Sequence, residues 1–393
     1  MNEAQKRVLV VSRWLGKTSE PWLYRQVCSL RRYQPHMAVE AHLNPAWYPF
    51  PHVNLTMPRS NWQRRAIRIA SLLTCRHWPS RDEIKAQRLG RVLARGRFDL
   101  VHVHFLWNGF AIEPARDAGL PLVFTAHGSD VTRAFADPGY RASLQKVFEG
   151  GDRIIAVSRF IRERLLALGC PADKIVALPL GVPLVADPVS TVNPGRGARF
   201  ISVGSLSPIK GHWELLQAFS IACGQRPDLS LTIVGEGELR AELETMLRNQ
   251  GLTGRVQLVG ACSQAEVQQL LADSDVYVQI GGRLENPNAP EWPIEEGLGL
   301  AYLEAAAHAM PLIGSEAGGI PEICIPDQNG YLVQPGDAVA VAQHMLELAN
   351  DAQLRSRLGR RSHELVKEHY DMDRQTRRLE QLYDQISRAA GAR

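Results

Sequence analysis

Two glutamates, Glu296 and Glu304, flank a glycine-rich bend in the run Glu296-Gly-Leu-Gly-Leu-Ala-Tyr-Leu-Glu304-Ala-Ala-Ala-His-Ala-Met-Pro311. Gly297 and Gly299 disfavour helix directly after the first acid, whereas the stretch Ala301 to Ala309 is rich in good helix formers. The pattern predicts Glu296 on a loop and Glu304 in the opening turns of a helix. Backbone N–H groups of Gly297, Leu298, Gly299 and Leu300, together with the positive end of that helix, would make a place for a phosphate. Two carboxylates beside it suit the hydroxyls of a sugar and a ribose. Solvated charges near a helix start would leave the same pattern.

The elements that must position these residues are those of an α/β protein. At 393 residues the chain is long enough for two or three domains, and 45% hydrophobic with 22% charged residues is ordinary for a globular protein. Short β-branched runs alternate with helical patterns, which predicts parallel sheets. Candidate strands are Arg7–Ser12, Ala38–Leu43, Leu100–Phe105, Leu122–Thr125, Arg153–Val157 and Ile175–Leu178, then Arg199–Val203, Leu231–Val234, Val256–Val259, Val276–Ile280 and Leu312–Gly314. The Pro- and Gly-rich stretch between the two series reads as a linker. The expected division is 1–182, a linker 183–198, a second domain 199–370 and a terminal helix 371–393. Six cysteines without C-x-x-C spacing argue for reduced thiols in the cytoplasm, and no apolar run reaches the ~18 residues of a membrane span. The first residues lead straight into a strand, so a signal peptide is not expected.

With Ala-Met-Pro-Leu-Ile-Gly following, the E-x7-E run resembles the signature of the retaining family 4 glycosyltransferases. The resemblance implies the GT-B arrangement: two facing Rossmann-like domains, an interdomain cleft and a C-terminal crossover helix that packs back on the N-terminal domain. It assigns Glu296 to the donor sugar and Glu304 to the nucleotide ribose. The family reads V-G-R-L-x-x-x-K-G where this chain has Val203-Gly-Ser205-Leu-Ser-Pro-Ile-Lys210-Gly, so Lys210 keeps the diphosphate-binding cation and Ser205 replaces an arginine. A hydroxyl can still donate one hydrogen bond, and Arg283 is a candidate for the missing charge. Gly235 matches the V-G-x-G step beside the nucleotide, and Gly260 a position lining the base. The G-G-x-P-E stretch Gly318–Glu322 would bring backbone close to a ligand.

In the first half, Gly16-Lys17-Thr18 after a strand echoes a P-loop, but Val11 stands where a P-loop needs glycine. The resemblance instead makes Gly16 part of a loop near the donor phosphate. His127-Gly-Ser-Asp130 resembles the H-G-x-D step of exopolysaccharide transferases, where His127 would hydrogen-bond and position the sugar at the reacting centre. His102 and His104 alternate on a strand and face one side, as a packed pair or a metal pair. Asp273-Ser-Asp275 opens a predicted strand and reads as structural, so no metal is expected, nor any cofactor beyond a UDP- or GDP-sugar donor. Between residues 59 and 97 eleven arginines and lysines face only Asp82 and Glu83, with Trp62 and Trp78 interleaved. That composition suits an anionic membrane surface at the inner face of the cell membrane, or a solvated helix face. Nothing else supports a nucleic-acid partner.

The expectation is a metal-independent, retaining transfer of a sugar to a glycan or lipid-linked acceptor in cell-envelope or exopolysaccharide synthesis. The departing phosphate oxygen would take the acceptor proton. A soluble transferase with a small-molecule acceptor and a non-catalytic nucleotide-sugar-binding protein stand as alternatives.

Overall fold

The computed structural model describes residues 5–58, 62, 79–186, 188 and 197–391. The chain forms two compact units. One comprises Met1–Val157, Ile161–Leu178 and Thr376–Arg393, the other Ser158–Phe160 and Pro179–Gln375.

The first unit is built on seven strands: β1 (Lys6–Leu15), β2 (Tyr33–His42), β3 (Val53–Leu55), β4 (Leu100–His104), β5 (Leu122–Ala126), β6 (Arg153–Ala156) and β7 (Ile175–Ala177). They pair in parallel in the order β3-β2-β1-β4-β5-β6-β7. Every residue of β4 and β5 is buried, as befits central strands covered on both faces. The helix Arg81–Arg95 starts with a capping box: Glu83 N donates to Ser80 Oγ at 3.1 Å and Ser80 N to Glu83 Oε2 at 2.6 Å. Two cations of the basic stretch are used inside the fold, because Arg81 and Lys85 both pair with Glu40, the latter at 2.8 Å. Arg59, Arg64, Arg65, Arg68, Arg76 and Trp78 of that stretch lie outside the described residues, as do 187 and 189–196 of the expected linker.

The C-terminal helix Met372–Gly391 contributes its residues from Thr376 to this same unit. Leu379, Leu382, Tyr383 and Ile386 are buried along one face. Beside them Glu380, also buried, accepts from Arg31 N (2.8 Å), Arg32 N (2.7 Å) and Arg32 Nε (3.2 Å). A buried carboxylate with three donors holds the helix in register, since leaving any of these groups unpaired would cost about 1–3 kcal/mol.

The second unit has six parallel strands, β8 (Arg199–Val203), β9 (Ser230–Val234), β10 (Val256–Gly260), β11 (Val276–Val278), β14 (Leu312–Ser315) and β15 (Gly330–Val333), in the order β10-β9-β8-β11-β14-β15. A short antiparallel ribbon, β12 (Arg283–Leu284) with β13 (Ile294–Glu295), interrupts them. Its core gathers Phe200, Phe219, Leu216, Ile233, Leu243 and Met345. The candidate strands all occur, with ends shifted by up to five residues; β3, β12, β13 and β15 were not legible. Those strands have two to four residues each, too few to show a period, and exist because a neighbouring strand supplies their hydrogen bonds.

Both sheets carry the strand order 3-2-1-4-5-6 of a doubly wound fold, with reversal between β1 and β4 in one and between β8 and β11 in the other. In such sheets ligands bind beyond the carboxyl ends of the strands at the reversal.

Candidate active site

At the reversal of the second sheet, β8 ends at Val203 and the chain turns through Ser205 into a 3-10 turn, Pro208–Lys210. Across the gap, β11 ends at Val278 and Gln279–Gly282 leads into the ribbon. Backbone hydrogen bonds stitch these loops together. Gly282 N donates to Ile209 O (2.6 Å), Glu296 N to Gly282 O (3.0 Å), and Gly319 N to Glu296 O (2.9 Å). The stitching brings Lys210 Nζ to 2.5 Å from Glu296 Oε2, with both side chains about one-fifth to one-quarter exposed.

Glu296 follows β13 directly. Gly297, Leu298 and Gly299 make the bend, and Leu300 opens the helix Leu300–Ala307, whose N-cap Gly299 offers no side chain to its first amides. Glu304 sits one turn in, 7% exposed, and accepts from Gln264 Nε2 at 3.5 Å. Both carboxylates bear on one buried phenol: Tyr277 OH, pushed well up by burial, is pushed further by Glu296 and Glu304. Gly318 is required by the protein's own backbone packing. Its φ is +55°, and a Cβ there would lie 2.1 Å from Glu296 O.

Beneath the loops lies a polar scaffold that sequence reasoning missed. Tyr277 OH donates to Gln279 Oε1 (2.8 Å), Tyr302 OH to Gln279 O, and Ser315 Oγ to Gly281 O. All four side chains are buried. His212, also buried, donates from Nε2 to Ser205 O at 3.2 Å, because a carbonyl can only accept. Burial pushes its pKa down to about 4 against that bond, and Lys210 adds to the push. Its place two residues after Lys210 was the only signal in the sequence.

Ser205 Oγ lies 3.0 Å from Ser207 Oγ. Arg283 is exposed on the ribbon, its backbone paired with Glu295. Gly235 follows β9 in a conformation (φ +145°) that other residues rarely adopt, with its Cβ position 1.9 Å from Gly204 O. Gly235 N donates to Gly260 O at 2.9 Å, so Gly260 ends β10, two strands from β8. Asp275 belongs to the opposite edge: its carboxylate takes Arg199 N (2.8 Å) and the Arg199 guanidinium (3.0 Å). Among the described residues no three His, Cys, Asp or Glu side chains are placed to hold a metal ion.

The first unit holds Gly16 and His127, both at the carboxyl edge of its seven-stranded sheet. Gly16 closes β1, its carbonyl accepting from Asn44 Nδ2 at 3.0 Å, while Lys17 pairs with Glu20 at 2.6 Å. His127 is half-buried under Trp22, with ring centroids 4.2 Å apart, and shares a hydrogen bond with His104 Nδ1 at 3.1 Å. His102 and His104 do face one side, with rings 4.2 Å apart. His102 is engaged by Tyr383 OH (2.6 Å) and Thr125 Oγ1 (2.7 Å). Burial holds all three imidazoles down, His102 to about 3. Asp130 positions this loop: its buried carboxylate accepts from Leu106 N (2.9 Å), His127 N (3.0 Å) and Gly128 N (2.9 Å). Burial raises its pKa while those amides oppose the rise.

Comparison with known proteins bears on this arrangement. A family model described as "Glycosyl transferases group 1" matches residues 187–365, and one described as "Glycosyl transferase 4-like domain" matches 52–181. The amylovoran biosynthesis glycosyltransferase AmsK of Erwinia amylovora is 29% identical over 259 residues, 64% of this chain and 61% of that protein. The chain thus spans about three fifths of the length of that relative. The N-acetyl-alpha-D-glucosaminyl L-malate synthase of Bacillus anthracis is 25% identical over 89% of this chain and 90% of its own. Among solved structures, Anabaena Alr3699/HepE in complex with UDP and glucose superposes with a TM-score of 0.75 at 16% identity, covering 96% of this chain and 99% of that one. That likeness shows the GT-B fold. Residues 187–365 thus belong to the group 1 glycosyl transferases, and residues 52–181 form a glycosyl transferase 4-like domain.

Proposed function

We propose that the protein is a retaining, metal-independent glycosyltransferase that moves a sugar from a UDP- or GDP-sugar to a cell-envelope or exopolysaccharide acceptor, lipid-linked at an anionic membrane surface. The observation that carries this reading is the meeting of Lys210 with Glu296 at the sheet reversal, one bend away from Glu304. Lys210, the amides of Gly297–Leu300 and the N-terminus of their helix would stabilise the diphosphate as it leaves, where preorganised donors are worth most. Glu296 would hold the sugar and Glu304 the ribose, with Gly235 and Gly260 giving room beside the nucleotide. His127, neutral at physiological pH, would hydrogen-bond rather than act as a base. The leaving phosphate oxygen would take the acceptor proton.

Membership of the family and likeness to an exopolysaccharide transferase support this reading. The basic stretch 59–97 supports the membrane contact, although Arg81 and Lys85 are already paired with Glu40. The test is a panel of nucleotide-sugars scored by thermal stabilisation and then by transfer in wild type, Lys210→Ala and Glu296→Ala. Wild-type turnover in both variants would end the proposal. A second reading, transfer to a small soluble acceptor, is favoured by the relative that aligns along most of both chains, whose name carries L-malate and no polymer or lipid. Vesicle co-sedimentation separates the two: no binding to anionic vesicles favours the small acceptor.

A further inference from the structure

The amino-terminal edge of the first sheet gathers cations of its own. Arg88, Arg91 and Arg95 recur at helical spacing on one face of the helix Arg81–Arg95. With Arg7 at the start of β1, His36 on β2 and Phe98 just before β4, they line an open groove of about 500 Å³. Arg7 and Leu15 are eight residues apart on β1, which puts this groove about 26 Å from the carboxyl edge.

The groove is short of internal counter-charge. Arg88 Nε donates to Leu55 O at 3.1 Å, a neutral partner. Among the described residues the guanidinium groups of Arg7, Arg91 and Arg95 have no carboxylate partner. Asp99, next to the groove in sequence, is engaged by the backbone N of Arg7 at 2.7 Å, and Glu40 is committed to Arg81 and Lys85. Residues 59–78 contain no Asp or Glu. His36 Nε2 is buried with no hydrogen-bond partner, its ring stacked on His52 at 4.4 Å. Burial and the neighbouring Arg91 both weaken the charged form of Arg88. Cations crowded in this way are relieved by an anion, and guanidinium forks match phosphate oxygens two at a time.

We propose that this groove is a phosphate-binding site, taking the phosphate group of a membrane lipid or of a soluble compound through Arg7, Arg88, Arg91 and Arg95. The site shares residues with the basic stretch assigned to the membrane but needs no membrane, and it does not rest on the donor reading.

The test is titration calorimetry of the full chain with inorganic phosphate at fixed ionic strength, comparing wild type, Arg91→Ala/Arg95→Ala and Lys210→Ala. A second arm co-sediments wild type and the double variant with phosphatidylcholine vesicles with and without phosphatidic acid. Expected is saturable phosphate binding, weakened at least about tenfold in the double variant and kept in Lys210→Ala, since the charge-assisted bonds to phosphate are lost in the first and not in the second. Arginine-dependent binding of free phosphate alone assigns a soluble source; arginine-dependent binding of phosphatidic acid vesicles alone assigns a lipid headgroup. Both outcomes support the site. Equal binding by wild type and a double variant of unchanged thermal midpoint overturns it, as does phosphate binding lost in Lys210→Ala but kept in the double variant.

Discussion

Lys210 Nζ and Glu296 Oε2 stand 2.5 Å apart although 86 residues separate them in the chain. The group proposed to neutralise the diphosphate and the group proposed to hold the sugar are thus ion-paired with each other. Each therefore sets the other's direction, and a diphosphate must share the ammonium with Glu296 or displace it.

Removal of either partner should show this coupling. Lys210→Ala is expected to lower kcat about 10²–10³-fold, the usual cost of losing one preorganised donor. Because the two side chains touch, the double variant with Glu296→Ala should lose less than the product of the single losses. Steady-state kinetics of the four proteins checks it; strictly multiplicative losses would show that the pair is not energetically coupled.

Ser205 stands where the family has a cation, and its hydroxyl is engaged with Ser207. Ser205→Arg should tighten binding of a nucleoside diphosphate, about tenfold, since a charged donor bonds phosphate roughly twice as strongly as a neutral one. Calorimetry with UDP and GDP measures the change. Unchanged or weaker binding would show that position 205 does not face the phosphates.

Gly235→Ala should destabilise the second unit by about 1–3 kcal/mol, because φ of +145° is rarely adopted by alanine and its Cβ would meet Gly204 O. The same strain pushes on the loop that carries Ser205 and Lys210, so donor affinity should fall together with the thermal midpoint. Differential scanning calorimetry with and without nucleotide reads both.

The first unit should be acid-labile. His102 is held down to about 3, whereas an unfolded histidine titrates near 6.5, so the unfolded state binds the extra proton between those values. Stability from this group is complete above pH ~6.5 and is lost progressively as pH falls toward 3. His104 and His127 shift in the same direction. His102→Gln should reduce the pH slope of unfolding free energy below pH 6 by up to about 1.4 kcal/mol per pH unit. Hydrogen exchange of the β4 amides at stepped pH measures it in the right unit.

Local chemistry made much of this legible in the amino-acid sequence. Glycines at 297 and 299 ahead of an Ala- and Leu-rich run set a loop followed by a helix, and so put Glu296 on one and Glu304 in the other. Apolar runs bounded by Gly and Pro marked the principal strands, and the 3.6 period of Leu379, Leu382, Tyr383 and Ile386 marked the buried face of the last helix. These are short-range effects, in which a residue's neighbours along the chain decide its conformation. Contacts across the chain were decided only in three dimensions. The pairing of Lys210 with Glu296 depends on three backbone hydrogen bonds among loops far apart in sequence. Asp130 as the clamp on His127, His212 as the prop under Ser205 and Gln279 between two buried tyrosines have no periodic or compositional signature, because each is set by where strand order brings a side chain. Of the basic stretch, the sequence shows only the number of cations; which are consumed by Glu40 and which line a groove depends on the sheet they pack against.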